Sequence, residues 1–164
     1  SRRGSEIRLV DVATGVDRRV FRTAFRDTPG CLAVGPDRSV IVIGSSGGDL
    51  SIHAAVAPDQ PRYRIAPHDA AIASVTFHPD GDWALTCSWD DTTRLVGINE
   101  GKPVSLLRAG HKHHVVSPDG RRLAGYDLVG TGVTVYECAG REACRVLGEA
   151  APVGPPIVVE GSWA

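Results

Sequence analysis

From His68 to Lys102 the chain reads as short alternating runs of apolar and polar residues, separated by residues that favour turns. Ile72, Ser74 and Thr76 alternate with Ala73, Val75 and Phe77, the period of two that sends successive side chains to opposite faces of a strand. Pro79-Asp80-Gly81 predicts a turn, because proline presets φ and glycine accepts the left-handed region. A second strand is expected over Trp83–Ser88, a tight turn at Asp90-Asp91, and a third strand over Thr92–Ile98 that Asn99-Glu100-Gly101 ends. Pro103–Leu107 adds a fourth, outer strand. An antiparallel meander of four strands cannot bury both faces alone, so it needs neighbours of the same kind.

The rest of the chain supplies them. Glu6–Gly15 reads as the third strand and following turn of such a unit, and Arg18–Arg22 as its fourth strand, with the first two absent. Cys31–Arg64 is a full unit, with Pro36-Asp37 where Pro79-Asp80 stands and a Gly47-Gly48 turn in place of the aspartates. After the central unit, Pro118-Asp119-Gly120 marks another turn, followed by strands over Arg122–Asp127, Val133–Glu137 and Cys144–Leu147. His111 precedes Pro118 by seven positions where His68 precedes Pro79 by eleven, so four residues are missing from the entering loop or inner strand. The third-strand positions Val10, His53, Val96 and Tyr136 recur at intervals of 43, 43 and 40 residues. Repeats of this length signal a repeat architecture. In the proline- and glycine-rich tail, Pro156–Glu160 looks like the first strand of one more unit.

Residues 68–102 resemble a WD-repeat blade, carried by His68, Val75, Phe77, Pro79-Asp80-Gly81, Ser88, Asp90, Thr92, Arg94-Leu95 and Gly101. Pro67, Val96 and Gly97 depart from the pattern, standing where glycine, tryptophan and aspartate are usual. The resemblance implies an all-β fold, a β-propeller of antiparallel four-stranded blades in an incomplete ring. Its expected parts are a half blade (1–27), blades at 28–66, 67–109 and 110–148, and a tail at 149–164. It also implies a buried hydrogen-bonded set of His68, Asp90 and a strand hydroxyl such as Ser88, short of its last donor because Val96 replaces the indole. In similar proteins one face, lined by the turns between second and third strands and by the loops entering each blade, is the usual binding surface. Trp89, Asp91 and His113 are the expected contacts there. Trp89 either meets a partner or covers its neighbour's turn.

A net charge of −1 argues against a dedicated nucleic-acid surface, although Arg2, Arg3, Arg8, Arg18, Arg19, Arg22 and Arg26 face only Glu6, Asp11 and Asp17 over the first 26 positions. No run of about 18 apolar residues is present to span a membrane. The chain has no methionine, which suggests a fragment, an excised domain or a processed product. A second copy or further blades would then close the ring. Cys31, Cys87, Cys138 and Cys144 form no Cys-x-x-Cys pair. Cys138 and Cys144 could face each other across two strands, but nothing points to an oxidising compartment, so they are expected to remain reduced.

Candidate chemistry is sparse. His111 and His113 alternate onto one face and could share a metal ion, yet the sequence places no third ligand; the alternative gives His111 a structural role and leaves the others in a loop. His53 is expected to pack where an aromatic would. Ser45-Ser46-Gly47-Gly48 leads into no helix and has no lysine placed to meet a phosphate, so it reads as a hairpin turn. No catalytic residue, cofactor or metal is assigned. The expectation is a cytoplasmic scaffold for protein partners, a regulatory or sensor part of a larger bacterial signalling protein; sixteen arginines against two lysines suit a GC-rich genome. A metal-binding or enzymatic propeller using His111 and His113 is the alternative.

Overall fold

The structure, a computed structural model, describes residues 5–23, 25, 27–107, 113–126, 133–138 and 144–149, the side chains of 105–107 and 144–149 excepted. Fourteen strands run through the described residues: β1 (Glu6–Val10), β2 (Asp17–Arg22), β3 (Pro29–Val34), β4 (Val40–Ser45), β5 (Leu50–Ala54), β6 (Ala57–Ile65), β7 (Ile72–Phe77), β8 (Trp83–Ser88), β9 (Thr93–Gly97), β10 (Lys102–Leu107), β11 (His113–Val116), β12 (Arg122–Tyr126), β13 (Val133–Cys138) and β14 (Cys144–Glu149). They form one two-stranded sheet, β1-β2, and three four-stranded meanders, β3 to β6, β7 to β10 and β11 to β14. Every pairing is antiparallel between sequence neighbours, for example Leu85 opposite Leu95 and Val42 opposite Ile52. His111 and the predicted strand at 156–160 lie outside the described residues.

Burial follows from how many faces of a sheet are covered. β4, β5 and β8 are buried at every position, whereas β1 and β12 alternate. A sheet packed on both sides must be apolar at both parities, which is why Val40-Ile41-Val42-Ile43 is a continuous apolar run. Its two parities then go to different cores. Ile41 and Ile43 meet Phe21, Ile7 and Leu9 of the first sheet, while Val40 and Val42 join Leu50, Ile52, Ile72, Ala84, Val96 and Ile98. Leu85, Leu95 and Trp83 face the other way, against Leu123 and Tyr136. Burying each such aliphatic side chain contributes roughly 1.5–3 kcal/mol, so the seams between sheets carry much of the stability.

Beside β1, a cavity of about 230 Å³ is lined by Glu6, Ile7, Pro29, Cys31, Leu32 and Ile43. Leu32 and Val34 of β3 remain about half exposed (54 % and 49 %). β11 has four residues where β3 and β7 have six, and positions 111 and 112 before it lie outside the described residues.

The cysteines at 138 and 144 require a correction. Register sets Cys144 opposite Cys138, and Cys138 is disulfide-bonded. Facing positions in adjacent antiparallel strands fall within the Cα separation that a disulfide spans. Cys31 and Cys87 are thiols. Burial pushes the Cys31 thiol up to about 11, which leaves it protonated and unreactive.

Because each strand reverses the one before, the connections fall at two ends. One end carries the β2–β3, β4–β5, β6–β7 and β8–β9 connections, and Ser46 N donating to Thr28 O (2.9 Å) ties two of them together. The other end carries the β1–β2, β3–β4, β5–β6, β7–β8, β9–β10 and β11–β12 turns.

Candidate functional site

The site is built on the β8–β9 turn, Ser88 to Thr92, whose shape is fixed from within. Ser88 N donates to Thr92 O (3.1 Å), Asp90 N to Ser88 Oγ (3.1 Å) and Thr92 N to Asp90 Oδ1 (2.9 Å). Asp91 takes the left-handed conformation (φ +62°), which aspartate tolerates better than most non-glycine residues. The turn is also fastened to the β6–β7 loop. Trp89 N donates to Ala71 O (3.0 Å), Ser88 Oγ to Ala70 O (3.0 Å) and Asp69 N to Asp90 Oδ2 (3.1 Å). From the neighbouring sheet Gly48, at φ +89°, backs onto the same loop. A Cβ there would sit 2.2 Å from His68 O, so only glycine allows this approach.

Beneath the turn, His68 links loop and strands. Its Nδ1 lies 2.9 Å from Asp90 Oδ2 and 3.1 Å from Thr92 Oγ1, and its Nε2 lies 2.8 Å from Thr86 Oγ1. Burial holds the His68 pKa below its ordinary value, against the opposing pull of Asp90. The imidazole is therefore neutral, with Nδ1–H donating to the carboxylate and Nε2 accepting from the threonine. Burial pushes Asp90 up, but hydrogen bonds from Thr92, the Asp69 amide and His68 outweigh it and hold the carboxyl well below the usual carboxylate range. The β8 hydroxyl that reaches His68 is thus that of Thr86, while Ser88, two positions along the same strand, serves the turn and the Ala70 carbonyl. Both residues point to the same face, and only the depth of the imidazole between the strands selects Thr86.

Trp89 projects from this fixed turn with 55 % of its surface exposed, whereas Trp83 is 2 % exposed and stacks on His78. Asp91 beside it is exposed. His113, in the next sheet, is half-buried at the start of β11 and stacked on Tyr126 (ring centroids 5.4 Å apart).

Two further histidines are structural in position. His53 is buried, with Nδ1 2.8 Å from Pro58 O, Nε2 2.8 Å from Ser51 Oγ, and its ring tilted against Phe21. Burial lowers its pKa as well. His114, which the sequence reading passed over in favour of its neighbours, is buried between sheets, with Nδ1 2.9 Å from Cys87 Sγ and its carbonyl accepting from Thr76 Oγ1 (3.0 Å). Alternation along β11 had separated it from His113. Only the stacking of sheets could bring Cys87 to it.

Among the described residues no group of three or more His, Cys, Asp or Glu side chains is arranged to hold a metal ion. Among the described N-terminal arginines, Arg8 pairs with Asp17, Arg18 with Asp11, and Arg19 with Asp59 (2.7 Å) and Val56 O (2.7 Å). No described helix is long and apolar enough to cross a membrane.

A family model for the WD domain, G-beta repeat, matches residues 59–96. A chain in a solved structure titled "Crystal Structure of Mitotic Checkpoint Complex" is similar in fold, with a TM-score of 0.77 at 16 % sequence identity. That alignment covers 93 % of this chain and 49 % of the other, so this chain spans about half the length of the one it matches. No curated protein matches.

Proposed function

We propose that this chain, which carries a WD40 repeat and folds as part of a WD-type β-propeller, binds a protein partner through the face that presents Trp89. A scaffold for protein interactions is the general role that the repeat and the propeller fold support, and the matched chain belongs to a structure titled as a complex. The observation that carries the assignment is Trp89, more than half exposed on a turn that is hydrogen-bonded within itself and to the adjoining loop. An exposed aromatic on a rigid support loses little conformational freedom on binding, and such residues dominate interface energies. Asp91 and His113 are the accompanying contacts. The blades divide at 28–66, 67–109 and 110–148, after a half blade at 1–27.

The setting we propose is a regulatory or sensor part of a larger bacterial signalling protein in the cytoplasm, with no chemistry of its own. A Cys138 disulfide that survives rapid alkylation during extraction would move it to an oxidising compartment. Among the described residues β1 has one sheet neighbour, β2, and further blades or a second copy would cover its other edge. Light scattering separates these, since a pair of copies has twice the 17.3 kDa mass.

The test of the binding face is quantitative capture from a bacterial extract by wild type, Trp89→Ala and, at the opposite end, Asp80→Ala. Partners depleted at least fivefold by Trp89→Ala alone are expected. Equal recovery on wild type and Trp89→Ala, with unchanged circular dichroism, would sink the assignment.

A further inference from the structure

At the end opposite the Trp89 turn, a cavity of about 150 Å³ opens in the seam between the β3–β6 and β7–β10 sheets. We infer that it binds a small zwitterion, an ammonium and a carboxylate on a compact apolar frame, which is the chemistry of a free amino acid such as valine. The volume holds about five water molecules at roughly 30 Å³ each, the bulk of such a molecule. Part of the lining is apolar: Val40 and Ile98 are buried and Phe77 is half-buried. The rest carries both signs of charge, with Arg62 from β6, Asp37 from the β3–β4 turn and Asp82 from the β7–β8 turn. An apolar lining with a few polar groups is the usual make-up of a small-molecule site.

The charges specify the occupant. Arg62 and the aspartates share the cavity, yet no ion pair joins them. They stand further apart than direct contact allows, across a gap that a molecule with two opposite charges spans. Asp82 is bonded through its backbone, N donating to Asp80 Oδ1 (2.9 Å) and O accepting from Ile98 N (2.9 Å). Asp37 Oδ1 accepts from Ser39 N (2.9 Å), and hydrogen bonds from Ser39 hold its carboxyl below its ordinary value, so it is charged. Asp80 on the rim is already taken up by His78 (2.8 Å) and the Asp82 amide. A ligand carboxylate on the planar guanidinium of Arg62, with the ligand ammonium donating to Asp82 and Asp37, satisfies both signs. A singly charged ligand leaves one of them unmatched. Because the lining comes from two sheets, the occupant also bridges their seam.

The experiment is titration of the isotope-labelled full chain with L-valine, followed by amide chemical shifts. Its controls are isobutylamine, which lacks the carboxylate, and isovalerate, which lacks the ammonium. Saturable shifts at Gly35, Val40, Gly81 and Ile98 are expected by about 10 mM valine, with both half-ligands bound at least about tenfold more weakly. Arg62→Gln and Asp82→Asn should each weaken valine at least about fivefold. Both side chains are exposed, and asparagine keeps the backbone bonds at 82, so the fold is retained, which circular dichroism verifies. Glu137→Gln, in the β11–β14 sheet, should leave the affinity unchanged. The zwitterion site is overturned by an absence of saturable shifts at these amides, by either half-ligand binding as well as valine, or by indifference to Arg62→Gln or to Asp82→Asn.

Discussion

Replacing Asp90 by alanine strikes the network that holds the Trp89 turn, and the structure gives the size of the loss. The carboxylate accepts from Thr92 N (2.9 Å), Thr92 Oγ1 (2.6 Å), Asp69 N (3.1 Å) and His68 Nδ1 (2.9 Å), with only 11 % of its side chain exposed. The Asp69 amide and the Thr92 hydroxyl are near the surface and can turn to water. His68, whose side chain is 0 % exposed, cannot, and its Nδ1 keeps only the longer contact with Thr92 Oγ1 (3.1 Å). Stranding its N–H costs about 1–3 kcal/mol, and each remaining bond contributes about 0.5–1.5 kcal/mol net. A total near 3–5 kcal/mol is expected for Asp90→Ala, a large part of a stability on the order of 5–15 kcal/mol. The measurement is urea unfolding followed by circular dichroism, with the slope unchanged. His68→Ala removes the stranded donor, and Thr86 Oγ1 then has Arg94 O, 3.3 Å away, as its acceptor. The double variant should therefore lose less than the sum of the singles, with a coupling of about 1.5–3 kcal/mol. A loss under about 1 kcal/mol for Asp90→Ala, or additivity within about 0.5 kcal/mol, would refute the reasoning.

Acid should act in two stages. His68 and His53 are held below their ordinary pKa by burial, so the unfolded chain takes up protons first. Their contribution is complete above the unfolded value of about 6.5 and is lost as pH falls below it. The Asp90 contribution is present above about 3.9 and is lost as pH falls toward its depressed folded value. The urea midpoint should drop between pH 7 and 5, and the double variant His53→Gln/His68→Gln should flatten that drop; an unchanged slope would mean other groups carry it. Gly101→Ala puts a side chain at φ +61° with its Cβ 2.1 Å from Tyr63 Cγ, displacing a ring whose hydroxyl donates to Asn99 O (2.6 Å). A loss of about 2 kcal/mol or more is expected, smaller in a Tyr63→Ala background, and full additivity would contradict the clash. Zinc titration by calorimetry should give no stoichiometric uptake at micromolar metal; uptake abolished by His113→Ala would restore the His111/His113 alternative. After denaturation without reductant, two of the four cysteines should alkylate, and four would exclude the disulfide at Cys138.

Within a blade, the sequence was nearly sufficient. Alternation and turn residues are local, and they brought Ile72–Phe77, Trp83–Ser88 and the turns around Gly81 and Gly101 into view, along with the pairing of His68 with Asp90. The intervals between Val10, His53, Val96 and Tyr136 conveyed the repeat even where the motif residues had gone. Between blades, the sequence said little. Residues far apart in the chain meet there only once the sheets have stacked. That stacking brought Cys87 to His114, sent Ile41 and Val42 into different cores, paired Arg19 with Asp59 and pressed Gly48 against the His68 loop. It also fastened the Trp89 turn to the β6–β7 loop, with 55 % of the tryptophan surface left exposed. Short-range pattern determined which strands form, because a strand's period and its turn depend on adjacent residues. Tertiary structure alone decided which side chains share a seam or a surface, because that depends on the rotation and depth at which one sheet seats on the next.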